Sequence, residues 1–188
     1  MKALWITEAG KVTWDKIKLD LMKLSKDELI EMINVGVKNY WTNNNYWNVI
    51  TEKAFDLDTA TRLDNEVWQY TAKIQAYRIK NTLHLGDSLQ DLAVVLKLSS
   101  LQWINSDFVW EFSEVTDQKL VIKILSCPMG NYRKKYDIPL YPCKIISQDM
   151  YKSLAQIVNP LFQVRCIHAH PDTPKKNTMC IWEFVLKE

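Results

Sequence analysis

Cysteine and histidine are the residues of this chain best suited to chemistry, and they are concentrated in its last third. All four cysteines lie there, and two of the three histidines lie beside them. Thiolate and imidazole groups bind zinc and other soft metals, and a cysteine can also act as a nucleophile. The residues concerned are Cys127, Cys143, Cys166, His168, His170 and Cys180. They indicate where a site lies without naming a reaction.

Strand periodicity brings some of these residues together. Cys166 and His168 share one face of a predicted strand, and Cys180 shares a face of the next predicted strand with Trp182. A hairpin symmetrical about Pro174 would place Cys166 opposite Trp182 and His168 opposite Cys180. One interpretation is therefore a transition metal such as zinc, bound by Cys166, His168 and Cys180.

Two other interpretations of the cysteines stay open. Cysteine is among the most often buried residue types, so all four thiols can simply belong to the core. Alternatively, one cysteine is a nucleophile, which requires a helix N-terminus or a nearby base to lower its pKa. Cys143 has the best setting for this role, because it follows Pro142 at the predicted start of a helix.

Composition excludes several classes of function. The formal net charge of +2 gives no clustered basic face for nucleic acid, and no apolar stretch approaches the roughly 20 residues that span a bilayer. None of the four glycines lies in a phosphate-binding pattern, which argues against a nucleotide cofactor. The N-terminus lacks the features of a secretory signal. We therefore expect a cytoplasmic protein that binds neither nucleic acid nor membrane.

The N-terminal half should be helical. Ser25 followed by Glu28 forms a capping box that predicts a helix start, and the asparagines at positions 43–45 should kink or thin that helix. A second helix is predicted over about 59–83, and Asp87 should cap a short third one. The core-facing residues of the second helix are predicted from its apolar periodicity to be Leu63, Val67, Tyr70, Ile74 and Tyr77.

The C-terminal half should contain a sheet. Residues 107–115 and 119–126 predict a β-hairpin, 131–140 a loop, and Pro142 the start of a helix ending near 159. Strands over 162–168 and 178–186 follow. The order predicts an α+β fold in a single domain, 1–188, with N-terminal helices (25–98) packed on a C-terminal antiparallel β-β-α-β-β sheet unit (101–187). Residues 1–24 are predicted to form an N-terminal arm, without a more specific assignment.

Several short segments, specific only as a set, resemble blocks of a largely uncharacterised prokaryotic cytosolic family related to L-2-amino-thiazoline-4-carboxylic acid hydrolase. More distantly, Cys143 with the terminal Cys-x-Trp-x-Phe is similar to four-vinyl-reductase-type ligand-binding domains, whose architecture also occurs in vesicle-tethering subunits. The family blocks are Cys127-Pro128, Tyr141-Pro142-Cys143-Lys144, Arg165-Cys166, Pro171-Asp172, Cys180-Ile181-Trp182-Glu183-Phe184, Leu24-Ser25, Glu28-Leu29, Asn39-Tyr40-Trp41, Glu66-Val67-Trp68, and Gln75-Ala76 with Arg78.

The resemblance implies a small-molecule-binding domain that holds an apolar or carboxylate-bearing ligand between helices and sheet. Arg78 or Arg133 would suit a carboxylate, because guanidinium offers two parallel hydrogen bonds. One alternative is a hydrolase acting on a C–N bond of a small cyclic amidine or amide, with Cys143 as nucleophile and Glu66 as general base. Another is a non-catalytic homodimerisation or interaction module. The apolar walls of the site would be Trp41, Trp47, Trp68, Tyr77 and Trp182.

Overall fold

A computed structural model describes residues 12–99, 108–173 and 175–187. The helices are α1 Trp14–Leu21, α2 Lys26–Ala54, α3 Leu57–Thr82, α4 Leu89–Leu98, α5 Pro128–Lys135 and α6 Cys143–Val158. The strands are β1 Val109–Val115, β2 Lys119–Ser126, β3 Phe162–His168 and β4 Cys180–Leu186. The fold is α+β, as predicted. Of the predicted arm, residues 1–11 lie outside the described residues.

Local capping signals define the N-terminal helices. The Ser25 hydroxyl accepts a hydrogen bond from the Glu28 backbone N–H at 3.2 Å, and the Glu28 carboxylate accepts one from the Ser25 N–H at 2.8 Å. This confirms the predicted capping box. The cap of α4 is Ser88, so the prediction of Asp87 was wrong. Ser88 is favoured because Asp91, three positions on, completes a second capping box with it.

The predicted thinning of α2 at residues 43–45 does not occur, and the helix is continuous to Ala54. Aromatic packing stabilises its middle: the rings of Tyr40 and Trp41 lie 6.2 Å and 5.4 Å from that of Trp68 on α3. Tertiary contacts of this kind commonly outweigh the weak helix propensity of asparagine.

The predicted core face of α3 was wrong. Tyr70 is 69% exposed and Tyr77 61% exposed, and the other three residues of that face are exposed as well. The face of α3 that packs on α6 carries mainly small residues, and its buried members are Ala60, Thr61, Trp68, Ala72 and Ala76. Small side chains let two helix backbones approach closely, so they rather than the large apolar residues define the inward face.

The four strands form one antiparallel sheet in the order β1-β2-β4-β3. Its inner face is buried against α4 and α6, the latter contributing Ile146, Met150 and Leu154. Its outer face is charged: Lys123 pairs with Glu111 across β2 and β1, and Arg165 pairs with Glu183 across β3 and β4. The inner-face residues are Leu120, Ile122, Ile124, Phe162, Val164, Trp182 and Phe184.

Two expectations about the C-terminal half need correction. The predicted loop over 131–140 is helical in its first part, because Pro128 at the first helical position starts α5 directly after β2. In the β3–β4 pair, Cys166 lies opposite Trp182 as predicted, but His168 lies opposite Ile181 rather than Cys180. A register shift between Cys166 and His168 inserts an extra residue in β3 and displaces the histidine.

None of the helices within 12–99, 108–173 and 175–187 combines the length and apolar character needed to span a lipid bilayer.

Candidate functional site

A cleft of about 820 Å³ opens between α2 and α5. The α2 wall follows helical periodicity, since residues spaced three or four apart share a helix face. The α5 wall continues into the segment that leads to α6. The cleft is lined by Thr42, Asn45, Tyr46, Asn48, Val49, Glu52 and Lys53 from α2, by Pro128, Met129, Tyr132, Arg133 and Tyr136 around α5, and by Ile138 and Tyr141. The walls are therefore mostly aromatic and apolar, with a few polar groups.

A buried arginine connects the two walls. The Arg133 side chain is 3% exposed, and its two terminal nitrogens donate to the two carboxylate oxygens of Glu52, each at 2.9 Å. Its Nε–H donates to the Pro139 carbonyl, and its guanidinium carbon lies 4.7 Å from the centroid of the Tyr141 ring. Three of its five N–H groups are therefore engaged, and because the side chain is almost completely buried, a ligand carboxylate would have to compete with Glu52 to reach it.

Two buried polar atoms in the cleft walls have no hydrogen-bond partner within the described residues. They are the side-chain oxygen of Asn45 and the hydroxyl of Tyr141. Burial raises the pKa of Tyr141, so its hydroxyl is neutral at physiological pH. A buried polar atom without a partner destabilises a protein by about 1–3 kcal/mol. Both side chains line the cleft, and a molecule bound there would supply the missing partners once the side chains turn towards it.

An acidic residue lies behind the α2 wall. Asp64 on α3 accepts hydrogen bonds from Asn48, which lines the cleft, and from Trp68. Burial raises the pKa of Asp64 to about 6, since desolvation disfavours the charged carboxylate. Sequence reasoning missed this residue. A signal was present, because Asp64 lies midway between Ala60 and Trp68 at four-residue spacing and so shares their buried face.

The four cysteines are free thiols packed against the core. Burial, together with the neighbouring Cys127 and Asp64, raises the pKa of Cys143 to about 12. The expectation that a helix N-terminus lowers this pKa was therefore wrong, because desolvation dominates at this position. Burial raises the pKa of Cys180, and Cys127, Cys143 and Cys166 add smaller effects in the same direction, so the four side chains lie in one region. The thiols are protonated at neutral pH.

The metal interpretation finds no support in the geometry. Among residues 12–99, 108–173 and 175–187, no three His, Cys, Asp or Glu side chains are arranged to hold a metal ion. Cys166 and His168 are separated by the β3 register shift, and His168 is buried with its Nδ1 at 3.9 Å from the Asp172 carboxylate. Cys166, His168 and Cys180 thus do not form a ligand set.

A comparison with protein families shows to which family the chain belongs. A family profile matches residues 22–186, nearly the whole sequence. The chain belongs to DUF6125, a family of unknown function. No match was found among curated proteins or among solved structures.

The remaining predicted site residues of this DUF6125 protein lie away from the cleft. Trp41 and Trp68 pack against each other, and Trp182 is fully buried with its ring 5.3 Å from that of Tyr151. Arg133 is thus the one predicted ligand-binding residue that lines the cleft. Four others are exposed on α2 and α3, namely Trp47, Glu66, Tyr77 and Arg78. Sequence reasoning missed Asn45, Glu52 and Tyr141, because nothing local indicates that α2 and α5 are neighbours.

Proposed function

We propose that this DUF6125 protein binds a small molecule in the cleft between α2 and α5. The volume of about 820 Å³ lies within the range of about 300–1,000 Å³ typical of small-ligand sites. Tyrosine, methionine, proline and isoleucine side chains supply apolar walls, while a few polar groups would orient the ligand. The ligand has an apolar, preferably aromatic, body and at least one hydrogen-bond donor.

The observation that carries the proposal is the pair of unpartnered polar atoms in the cleft walls. The Asn45 side-chain oxygen can only accept a hydrogen bond, so its ligand partner must be an N–H or O–H group. Tyr141 can accept a second hydrogen bond or donate one. A carboxylate would meet Arg133 only after displacing Glu52, which makes a donor-bearing ligand the better match. The amidine-type compounds implied by the resemblance described above meet this requirement.

A matched set of fragments tests the donor requirement. Benzamide and benzamidine carry N–H donors on an aromatic ring, whereas benzoate has the same shape and no donor. Ligand-observed NMR titration should show weak binding of the two donor fragments and about five- to tenfold weaker binding of benzoate, since one hydrogen bond in a buried site contributes about 1–1.5 kcal/mol.

Two asparagine variants on the same helix give the control. Asn45→Ala should reduce benzamide binding about tenfold, because it removes the accepting oxygen. Asn43→Ala should not change it, because Asn43 is exposed and does not line the cleft. Equal binding of all three fragments, or equal effects of the two substitutions, would contradict the proposal.

A second candidate function is hydrolysis of a C–N bond, and the raised pKa of Asp64 favours it. A carboxyl group with a pKa of about 6 can exchange a proton near neutral pH, and Asp64 would reach a substrate in the cleft if the Asn48 side chain that hydrogen-bonds it moved aside. If the protein hydrolyses 2-amino-thiazoline-4-carboxylate, Asp64→Asn should abolish turnover while Cys143→Ser leaves it unchanged. Turnover by Asp64→Asn at the wild-type rate would exclude this role, and absence of turnover by the wild type would leave ligand binding alone.

A further inference from the structure

The exposed face of α3 carries an apolar stripe that the other described residues leave uncovered. The stripe consists of Leu63, Val67, Tyr70, Ile74 and Tyr77, which are between 38% and 69% exposed. The opposite face of the helix is already packed on α6. Contiguous exposed apolar residues on a soluble protein commonly mark an interaction surface.

The spacing of the stripe indicates what kind of surface covers it. Successive members are separated alternately by four and three positions, which gives a mean repeat of 3.5 residues. This is the repeat with which one α-helix packs along another in a coiled coil, where each side chain enters a gap between side chains of the facing helix. The partner of the stripe should therefore be a helix that runs along α3.

The charges beside the stripe indicate which helix that is. Arg62 and Glu66 flank the N-terminal half of the stripe, and Lys73 and Arg78 flank its C-terminal half, all four exposed. In an antiparallel pair of α3 helices, Glu66 of each copy lies near Lys73 of the other. A parallel pair would instead bring the basic C-terminal halves of the two stripes together.

We propose that a second copy of this chain covers the stripe, in a two-fold dimer with antiparallel α3 helices. Such an interface is formed by the same patch on both subunits. The stripe is about 21 Å long at 1.5 Å per residue. Tyr70 and Tyr77 are 69% and 61% exposed, so each can add roughly 90–170 Å² of the about 150–250 Å² that a fully covered aromatic side chain buries. Together they supply a substantial share of the ~600 Å² per subunit that the smallest specific interfaces bury. The surface is separate from the ligand cleft, whose lining includes no α3 residue.

Sedimentation equilibrium of the full 188-residue chain over a wide range of concentration tests the proposal. We expect a reversible dimer of twice the 22.1 kDa chain mass. Ile74→Lys should raise the dimer dissociation constant at least tenfold without unfolding the chain, because Ile74 is 48% exposed. Ile145→Lys is the matched control, since Ile145 is 58% exposed on α6 and lies outside the stripe; it should remain dimeric.

Charge reversal tests the antiparallel arrangement. Glu66→Lys and Lys73→Glu should each weaken the dimer about tenfold, since each reverses two symmetry-related contacts. The double variant should recover most of the wild-type affinity. A wild-type chain that stays monomeric at every concentration overturns the proposal, even if another protein binds the stripe. Equal weakening by Ile74→Lys and Ile145→Lys, or a double variant no tighter than the single ones, also overturns it.

Discussion

Glu52 and Arg133 are 81 positions apart in the sequence, yet two parallel hydrogen bonds of 2.9 Å join them across the cleft. The pair connects α2 of the helical half to α5, which directly follows a strand of the sheet. Arg133 is almost completely buried, whereas Glu52 retains 22% exposure. Because the guanidinium cannot lose its proton, its burial depends on the carboxylate that faces it.

Glu52→Gln should lower the free energy of unfolding by about 2–3 kcal/mol, measured by urea denaturation at neutral pH. The substitution keeps the shape of the side chain but leaves a buried positive charge without a counter-charge. Glu111→Gln is the control, since Glu111 pairs with Lys123 at 3.7 Å on the exposed outer face of the sheet. Its effect should stay below about 0.5 kcal/mol. If Glu52→Gln and Glu111→Gln lowered the free energy of unfolding by similar amounts, the Arg133 guanidinium would be effectively solvated.

Asp64→Asn should stabilise the protein at pH 7. The folded-state pKa of Asp64, about 6, is above the ordinary aspartate value of 3.8, so the wild type is stabilised by this group below about pH 4 and loses that contribution as pH rises to 6. Two pH units correspond to about 3 kcal/mol. The variant, which keeps a hydrogen-bond acceptor, should be up to this much more stable at pH 7 and nearly equal to the wild type at acidic pH.

Urea denaturation across this pH range measures the effect, with Asp58→Asn as the control. Asp58 is exposed in the first turn of the same helix, where a carboxylate contributes only a few tenths of a kcal/mol through the helix dipole. If the free energy of unfolding of the Asp64→Asn variant still changed between pH 4 and pH 6, another group would have to titrate in that pH range.

The cysteines should react slowly with iodoacetamide at neutral pH. Burial raises the pKa of all four thiols, and the thiolate is the reactive form. Cys166, the least enclosed of the four, should be alkylated first, and Cys143 and Cys180 much later. Peptide mass spectrometry at successive times gives the order in which the cysteines are alkylated. Alkylation of the protein unfolded in urea gives the reference rate for exposed thiols. Rapid, selective modification of Cys143 in the folded protein would restore its nucleophile interpretation.

Local signals predicted most of the elements but not the site. The capping box at Ser25, the β1–β2 hairpin and the helix after Pro142 depend on residues close in sequence, and the structure confirms them. The inward face of α3 could not be predicted by hydrophobicity, because Ala72 and Ala76 are buried by close helix contact while Tyr70 is left outside. The cleft was also inaccessible to sequence reasoning, since its walls meet only through tertiary packing.

The charged outer face of the sheet helps to fix the position of Arg133 in the wall of the cleft. Cross-strand pairs such as Lys123–Glu111 and Arg165–Glu183 match only in the observed alignment, and a slip of one residue would turn Leu120, Ile122 and Ile124 towards solvent. The alignment of β2 therefore fixes the point at which the chain leaves the sheet. Since α5 begins two residues after β2 ends, an error of one strand position would shift Arg133 by about 3.4 Å, beyond the reach of Glu52.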